Sequence, residues 1–136
     1  MNQMLIVSFL LTIMFFLSGI DKAKNVNKVA SGLQNRIGMN LPYYFFFAAI
    51  LAVIVLEIGA PLSIMYTAYT NEKKQEAYYS AIALALFTVA ATYLYHFPPQ
   101  GKEYYPFVSN VTTVGGLLLM AGVMKNVGDI RELSFF

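Results

Sequence analysis

Glu57 is the residue in this sequence whose setting most demands a chemical explanation. It stands alone among apolar side chains in the run 43–69, YYFFFAAILAVIVLEIGAPLSIMYTAY. An acid inside hydrocarbon costs on the order of 2.5–3.5 kcal/mol unless it is neutralised or paired. Two roles fit such a residue equally well. It can accept a proton or hold a polar head such as a quinone carbonyl. It can also be a neutral structural group hydrogen-bonded to a neighbouring helix. Pro61, four residues on, has no N–H to give the Glu57 carbonyl and is expected to kink the helix. Gly59 is expected to let another helix approach closely.

His96 ends a second pattern. Counting back in fours gives Thr92, Thr88, Leu84 and Ser80, one stripe on a helix. Ser8, Thr12 and Ser18-Gly19 in the first apolar stretch, and Thr112, Thr113, Gly115 and Gly116 in the fourth, are similar small or hydroxyl residues. Taken singly, such residues favour close packing, with hydrogen bonds of about 0.6 kcal/mol each. His96 lies at a boundary, and that position favours an interfacial residue over a ligand. All ten tyrosines lie near the ends of apolar stretches. An aromatic belt accounts for them without redox chemistry. Asn110-Val111-Thr112 matches a glycosylation pattern, but too close to an apolar stretch to be more than chance. There is no cysteine and only one histidine. The chain therefore has no disulfide, thiolate nucleophile or self-sufficient zinc or di-haem site.

The elements that must position these residues follow from composition. Of 136 residues, 58% are apolar and 12% charged, against about 45–50% and about 25% in ordinary soluble domains. This excludes a soluble globular domain and a disordered chain. A net charge of +2 with no basic patch argues against nucleic acid as a partner. Four stretches approach the about 20 residues that a spanning helix needs: 3–20, 43–69, 77–97 and 107–124. The first has no basic leader and no small-residue cleavage site, so it reads as a span rather than a signal peptide. Between the first two spans, Val26, Val29, Leu33 and Ile37 alternate with Lys24, Lys28 and Arg36 at helical spacing. That pattern predicts a short amphipathic helix on the membrane surface. The fold expected is all-α: a single-domain integral membrane bundle of four transmembrane helices with a short interfacial helix in the first loop. Lys and Arg divide four against five between the two sides. The dense first loop tilts the topology only slightly toward an outside N-terminus. By helical rise, Glu57 is expected about 20 Å or less inward from the level of Lys22. Asp21, Lys22, His96 and Tyr104-Tyr105 share that face.

In order and spacing the chain resembles the DoxX family of small four-span membrane proteins, from about Leu10 to Met124. Phe15-Phe16-Leu17-Ser18-Gly19-Ile20-Asp21-Lys22 is similar to its Phe-x-x-Ser-Gly-x-x-Lys signature. The stretch Val29–Pro42 resembles its amphipathic connector ending in Gly-x-x-x-Pro. Glu57-Ile58-Gly59, His96 near a helix end, and Asn110 with Gly115-Gly116-Leu117-Leu118-Leu119 match further positions. Pro61 and the Met- and Tyr-rich spans depart from the pattern. The resemblance implies a link to membrane redox systems, including quinone-linked sulfur oxidation and assemblies with superoxide-detoxifying and thiol-handling enzymes. Related groups include a cargo receptor of the secretory pathway. It carries over Ser18, Lys22, Glu57, His96 and Asn110 as a polar core or ligand contact. It assigns no catalytic residue and no metal.

The leading functional expectation is a non-catalytic accessory or anchoring subunit of a membrane redox complex, holding a quinone or lipid near Glu57. Its partners would be the lipid bilayer and other membrane or peripheral subunits. The alternative is a structural membrane component of a large assembly, an organellar complex or a viral membrane or capsid layer. In that role the first loop and the Leu133–Phe136 tail would make the contacts. A transporter or channel ranks third, for want of an inverted repeat or a ring of selectivity groups.

Overall fold

The computed structural model describes residues 2–136. It contains five α-helices: α1 (Gln3–Lys24), α2 (Val26–Ile37), α3 (Tyr43–Thr70), α4 (Lys74–His96) and α5 (Tyr104–Asn126). No strand occurs among the described residues. Short 3₁₀ turns precede α5 at Gly101–Glu103 and follow it at Ile130–Glu132. Four helices are long and apolar enough to cross a membrane.

The helix ends follow from local chemistry. Asn2 caps α1 by accepting from the Leu5 N–H at 3.1 Å. Gly38 ends α2 at φ 68°, the left-handed cap that glycine adopts without a Cβ penalty. Asn71 ends α3 in the same conformation, and its N–H donates to the Thr67 carbonyl. The Thr67 hydroxyl donates to the Glu72 carbonyl at 2.7 Å, which fixes the tight α3–α4 turn. Pro61 is buried inside α3, and the helix runs on through it to Thr70.

The spans pack in the order α1, α3, α4, α5, and α1 meets α5 only narrowly. At that meeting Leu11 lies over Gly116, and the Ser8 hydroxyl faces the Met120 sulfur at 3.9 Å. The main core includes Met4, Phe15, Ile64, Leu84, Leu117, Met124 and Ile130. A second cluster joins Ala30 of α2 to Phe46 and Ile50 of α3. The outer surface exposes Leu10, Leu17, Val55, Leu62, Leu86 and Leu119. So much exposed aliphatic surface suits hydrocarbon rather than water.

Two expectations change, and two further contacts come from the structure. First, α1 does not stop at Ile20 but continues through Lys24, so Asp21 and Lys22 are helical. Second, the close helix approach is at Gly19, not Gly59. A Cβ on Gly19 would lie 2.8 Å from Ile58 Cγ1 and 3.1 Å from Glu57 Cβ, whereas one on Gly59 meets nothing within 4 Å. Gly59 faces outward, because its position on α3 falls between the buried faces set by Glu57 and Ala60. Third, α2 turns its apolar side onto α3: Val26, Val29, Leu33 and Ile37 all pack in the cluster around Phe46 and Ile50. These four residues stay half-buried, so the amphipathic helix expected in the first loop is present, with its apolar side directed at α3. Fourth, the tail backbone docks on the chain's own N-terminus. The Phe135 and Phe136 N–H groups donate to Gln3 Oε1, and Gln3 Nε2 donates to the Phe136 carbonyl. Phe135 and Phe136 themselves stay exposed.

Two outcomes follow. Gly19→Ala forces α1 away from α3 and should lower stability by about 1–3 kcal/mol, the cost of overpacking. Gly59→Ala, which meets open space on a helix, should raise it by about 0.5–1 kcal/mol through helix propensity. Thermal unfolding of the detergent-solubilised variants distinguishes the two positions. In the tail, the Arg131 guanidinium donates to both Asp129 carboxylate oxygens at 3.0 and 2.9 Å. This bond holds the Asp129 carboxyl below its ordinary range. A depressed folded pKa contributes stability above the unfolded value, near about 3.9, and loses it as pH falls through the folded one. Tail amide protection from hydrogen exchange should therefore be level from pH 7 to 5 and decline only below about pH 4. In Asp129→Asn it should be reduced at pH 7.

Candidate functional site

A partly enclosed cleft of about 820 Å³ lies between α1, α2, α3, α4 and the start of α5. It falls within the about 300–1,000 Å³ range of small-molecule sites. Ser18, Lys22, Glu57, His96 and Asn110 all line it. The five candidates, drawn from four different helices, thus share one wall system.

The site is built around Gly19. With no side chain there, α1 touches α3 at Glu57. Lys22 lies one turn further along α1 and extends back over that contact. Its ammonium is 2.7 Å from Glu57 Oε1 and donates to Ser18 Oγ at 2.5 Å. Glu57 is 2% exposed and Lys22 22%. The ammonium reaches Oε1 off the hydrogen-bond direction, so the contact is an ion pair and leaves Oε1 without an aligned donor. The Lys22 side chain thus spans the depth that helical rise sets between its level and Glu57. The helical extension of α1 brings the two charges together, and each removes the other's cost of burial.

The deep wall continues on α4 and α5. Thr88 donates to the Leu84 carbonyl and Thr92 to the Thr88 carbonyl, each back along its own helix. The Asn110 amide N–H donates to Thr92 Oγ1 at 3.0 Å. Thr92 has already spent its proton, so the Asn110 amide must present nitrogen to it. The expected polar stripe is real in its inner part: Leu84, Thr88 and Thr92 are buried, while Ser80 is only half-buried. In α1, Ser8 and Thr12 are buried too. In α5, Thr112 faces outward and its hydroxyl donates to the Val108 carbonyl.

His96 stands at the mouth of the cleft with Nδ1 at hydrogen-bond distance from Glu103 Oε2, both side chains partly exposed. It is therefore both a boundary residue, as its position implied, and a lining residue. Arg36 closes the same end. Its Nε donates to the Leu94 carbonyl and its Nη2 to the Tyr95 carbonyl, both at 2.7 Å, and its guanidinium lies 5.2 Å from the Tyr95 ring centre. The last carbonyls of α4 thus receive the donors their own helix cannot supply. Val29, Gly32 and Leu33 of α2 form the adjacent wall. Sequence analysis set Lys28 and Arg36 on the polar side of an amphipathic helix, placed Asp21 on the face of Lys22 and His96, and passed over Asn25 and Tyr95; all but Arg36 line the cleft. Their spacing of three to four beyond Ser18 was the available signal for Asp21, Asn25 and Lys28. No local signal pointed Arg36 at a helix 58 residues away.

No group of metal-ligating side chains occurs among the described residues. The cleft's chemistry is that of a polar end, formed by an ion pair and amide and hydroxyl groups, joined to an apolar wall of Phe15, Ile50, Val53, Phe87 and Leu94. Such a space can hold an amphiphile with its head against Glu57.

The ion pair makes a sharp mutational prediction. Lys22→Met strands a buried carboxylate and should cost about 3–5 kcal/mol. The double variant Lys22→Met with Glu57→Leu should recover most of that loss. Chemical unfolding in micelles, read as a double-mutant cycle, checks it. Additive losses would mean that the two charges are not coupled.

No family model, curated protein or solved structure matches this chain.

Proposed function

We propose that this chain is a multi-pass membrane protein of DoxX-like type that holds a lipophilic molecule in the Glu57 cleft as a non-catalytic accessory subunit of a membrane redox complex. The observation that carries the reading is the convergence of Ser18, Lys22, Glu57, His96 and Asn110 on one cleft of about 820 Å³ with a long apolar wall. A purely structural bundle has no need of a polar-ended cavity. Its walls would gain by packing against each other, because voids forfeit dispersion contacts. A quinone or lipid supplies those contacts and brings a polar head to the buried charge pair. The outward-facing Leu10, Val55, Leu86 and Leu119 suit lipid around the bundle.

Nothing in the cleft resembles a complete catalytic set. Glu57 is held by Lys22, and His96 by Glu103. These groups orient and neutralise, which suits binding and presentation to a partner subunit.

The test is to isolate the protein from its native membrane in nanodiscs and identify by mass spectrometry what accompanies it. A stoichiometric lipophile that is lost in Glu57→Leu, along with co-purifying redox subunits, is expected. Bulk lipid alone, with scaffold or coat proteins, would overturn this reading in favour of a structural assembly component.

A further inference from the structure

The hydrogen-bond inventory of the cleft goes further than its volume. Glu57 is almost wholly buried, yet Oε1 has no aligned donor. A carboxylate offers about four lone-pair positions, and its ionic partner among the described residues is Lys22, which also serves Ser18. Thr88 has spent its proton on the Leu84 carbonyl and can only accept. Asn110 has turned its nitrogen to Thr92, so its remaining group is a carbonyl oxygen, an acceptor. The deep wall is thus short of protons. Buried polar groups in native proteins are almost always satisfied, so an occupant that fits must bring hydrogen-bond donors.

Charge narrows the class again. Lys22 is already matched by Glu57 at 2.7 Å, so the deep end holds no free cation for an anionic head. At the rim, Lys28 and Asp21 both line the cleft, one charge of each sign. A phosphate pushed to the depth of Glu57 would place two like charges together in a site of low polarity.

We infer that the cleft selects an uncharged lipophile whose head donates a hydrogen bond, such as a phenol, a hydroquinone or a glycerol hydroxyl, over the carbonyl, ether or phosphate forms of the same molecule. This rests on the reading of the cleft as a lipophile site. The donor goes to Glu57 and the tail runs along Phe15, Val53 and Phe87. For a quinone couple, the hydroxyl form is the one retained.

The experiment compares three probes with the same twelve-carbon chain: 4-dodecylphenol, 4-dodecylanisole and dodecyl phosphate. Occupancy is titrated by native mass spectrometry of the full-length protein in phosphatidylcholine nanodiscs, with empty discs measuring plain partition. Hydrogen bonds to charged groups are strong enough that the phenol should bind roughly 10- to 100-fold more tightly than the anisole. In Glu57→Leu that ratio should fall toward unity. The wild-type ratio stands even where the variant does not fold. Equal saturable binding of phenol and anisole would overturn the selectivity while leaving the lipophile site intact. Preference for the phosphate would overturn it in favour of an anionic head. No probe binding above the empty discs would overturn the lipophile site itself, and the selectivity with it.

Discussion

An acid 2% exposed in an apolar bundle must be neutralised or paired, and the arrangement of the first three helices follows from the partner it has. Lys22 is the countercharge. To deliver it, α1 must remain helical past the end of its apolar run, must lie against α3, and must approach closely enough for a side chain one turn away to fold back on Glu57. Gly19 permits the approach, since a Cβ there would collide with Ile58 and Glu57. The ion pair, the glycine and the length of α1 are one constraint seen from three sides. Removing the glycine separates the charges, and removing either charge leaves the close contact without its electrostatic reward.

The same end of the bundle shows how a short polar helix becomes a wall. With its apolar side on Phe46 and Ile50, α2 is anchored to α3. Its other edge reaches α4 through Arg36, whose two donors meet the Leu94 and Tyr95 carbonyls. Those carbonyls lie at the end of a helix followed by Pro98 and Pro99, which cannot donate to them. A planar guanidinium with several donors suits this task better than an ammonium. Arg36 therefore caps α4 and fixes α2 across the cleft at once.

The sequence made the four spans legible because apolar runs of this length have few alternative explanations, and their boundaries were missed by four residues or fewer. The amphipathic spacing of Val26, Val29, Leu33 and Ile37 revealed α2 as a helix, but periodicity cannot say whether an apolar face meets lipid or protein. Glu57 was recognisable from its surroundings alone. Its partner was not, because Lys22 follows Asp21 in a stretch that reads as the start of a loop. Gly19 and Gly59 look alike in sequence, each beside polar or small neighbours. Only the rotation of each helix, which packing sets, decides which glycine meets a partner. Arg36 was misread for the same reason, since its acceptors are backbone atoms that carry no sequence label.

The two ends of the bundle differ in a way that bears on where function can reside. At the end remote from the cleft, polar side chains are spent on tying segments together. Asn2 donates to the Ala68 carbonyl, Asn71 to that of Gly128, and Lys74 to those of Val127 and Gly128. The Asn71 side chain also accepts from the Ile130 N–H, and Ile130 is fully buried. The C-terminal segment thus closes that end over the core. At the other end no such segment closes the space, and polar groups line a cleft instead of filling it. Sites that keep acceptors unsatisfied and charges buried are stable only when the rest of the fold over-determines their geometry. The clasped end and the well-packed core between Met4, Ile64, Leu84 and Leu117 supply that surplus. Tight closure at one end of so small a bundle therefore supports an open, charge-bearing cleft at the other.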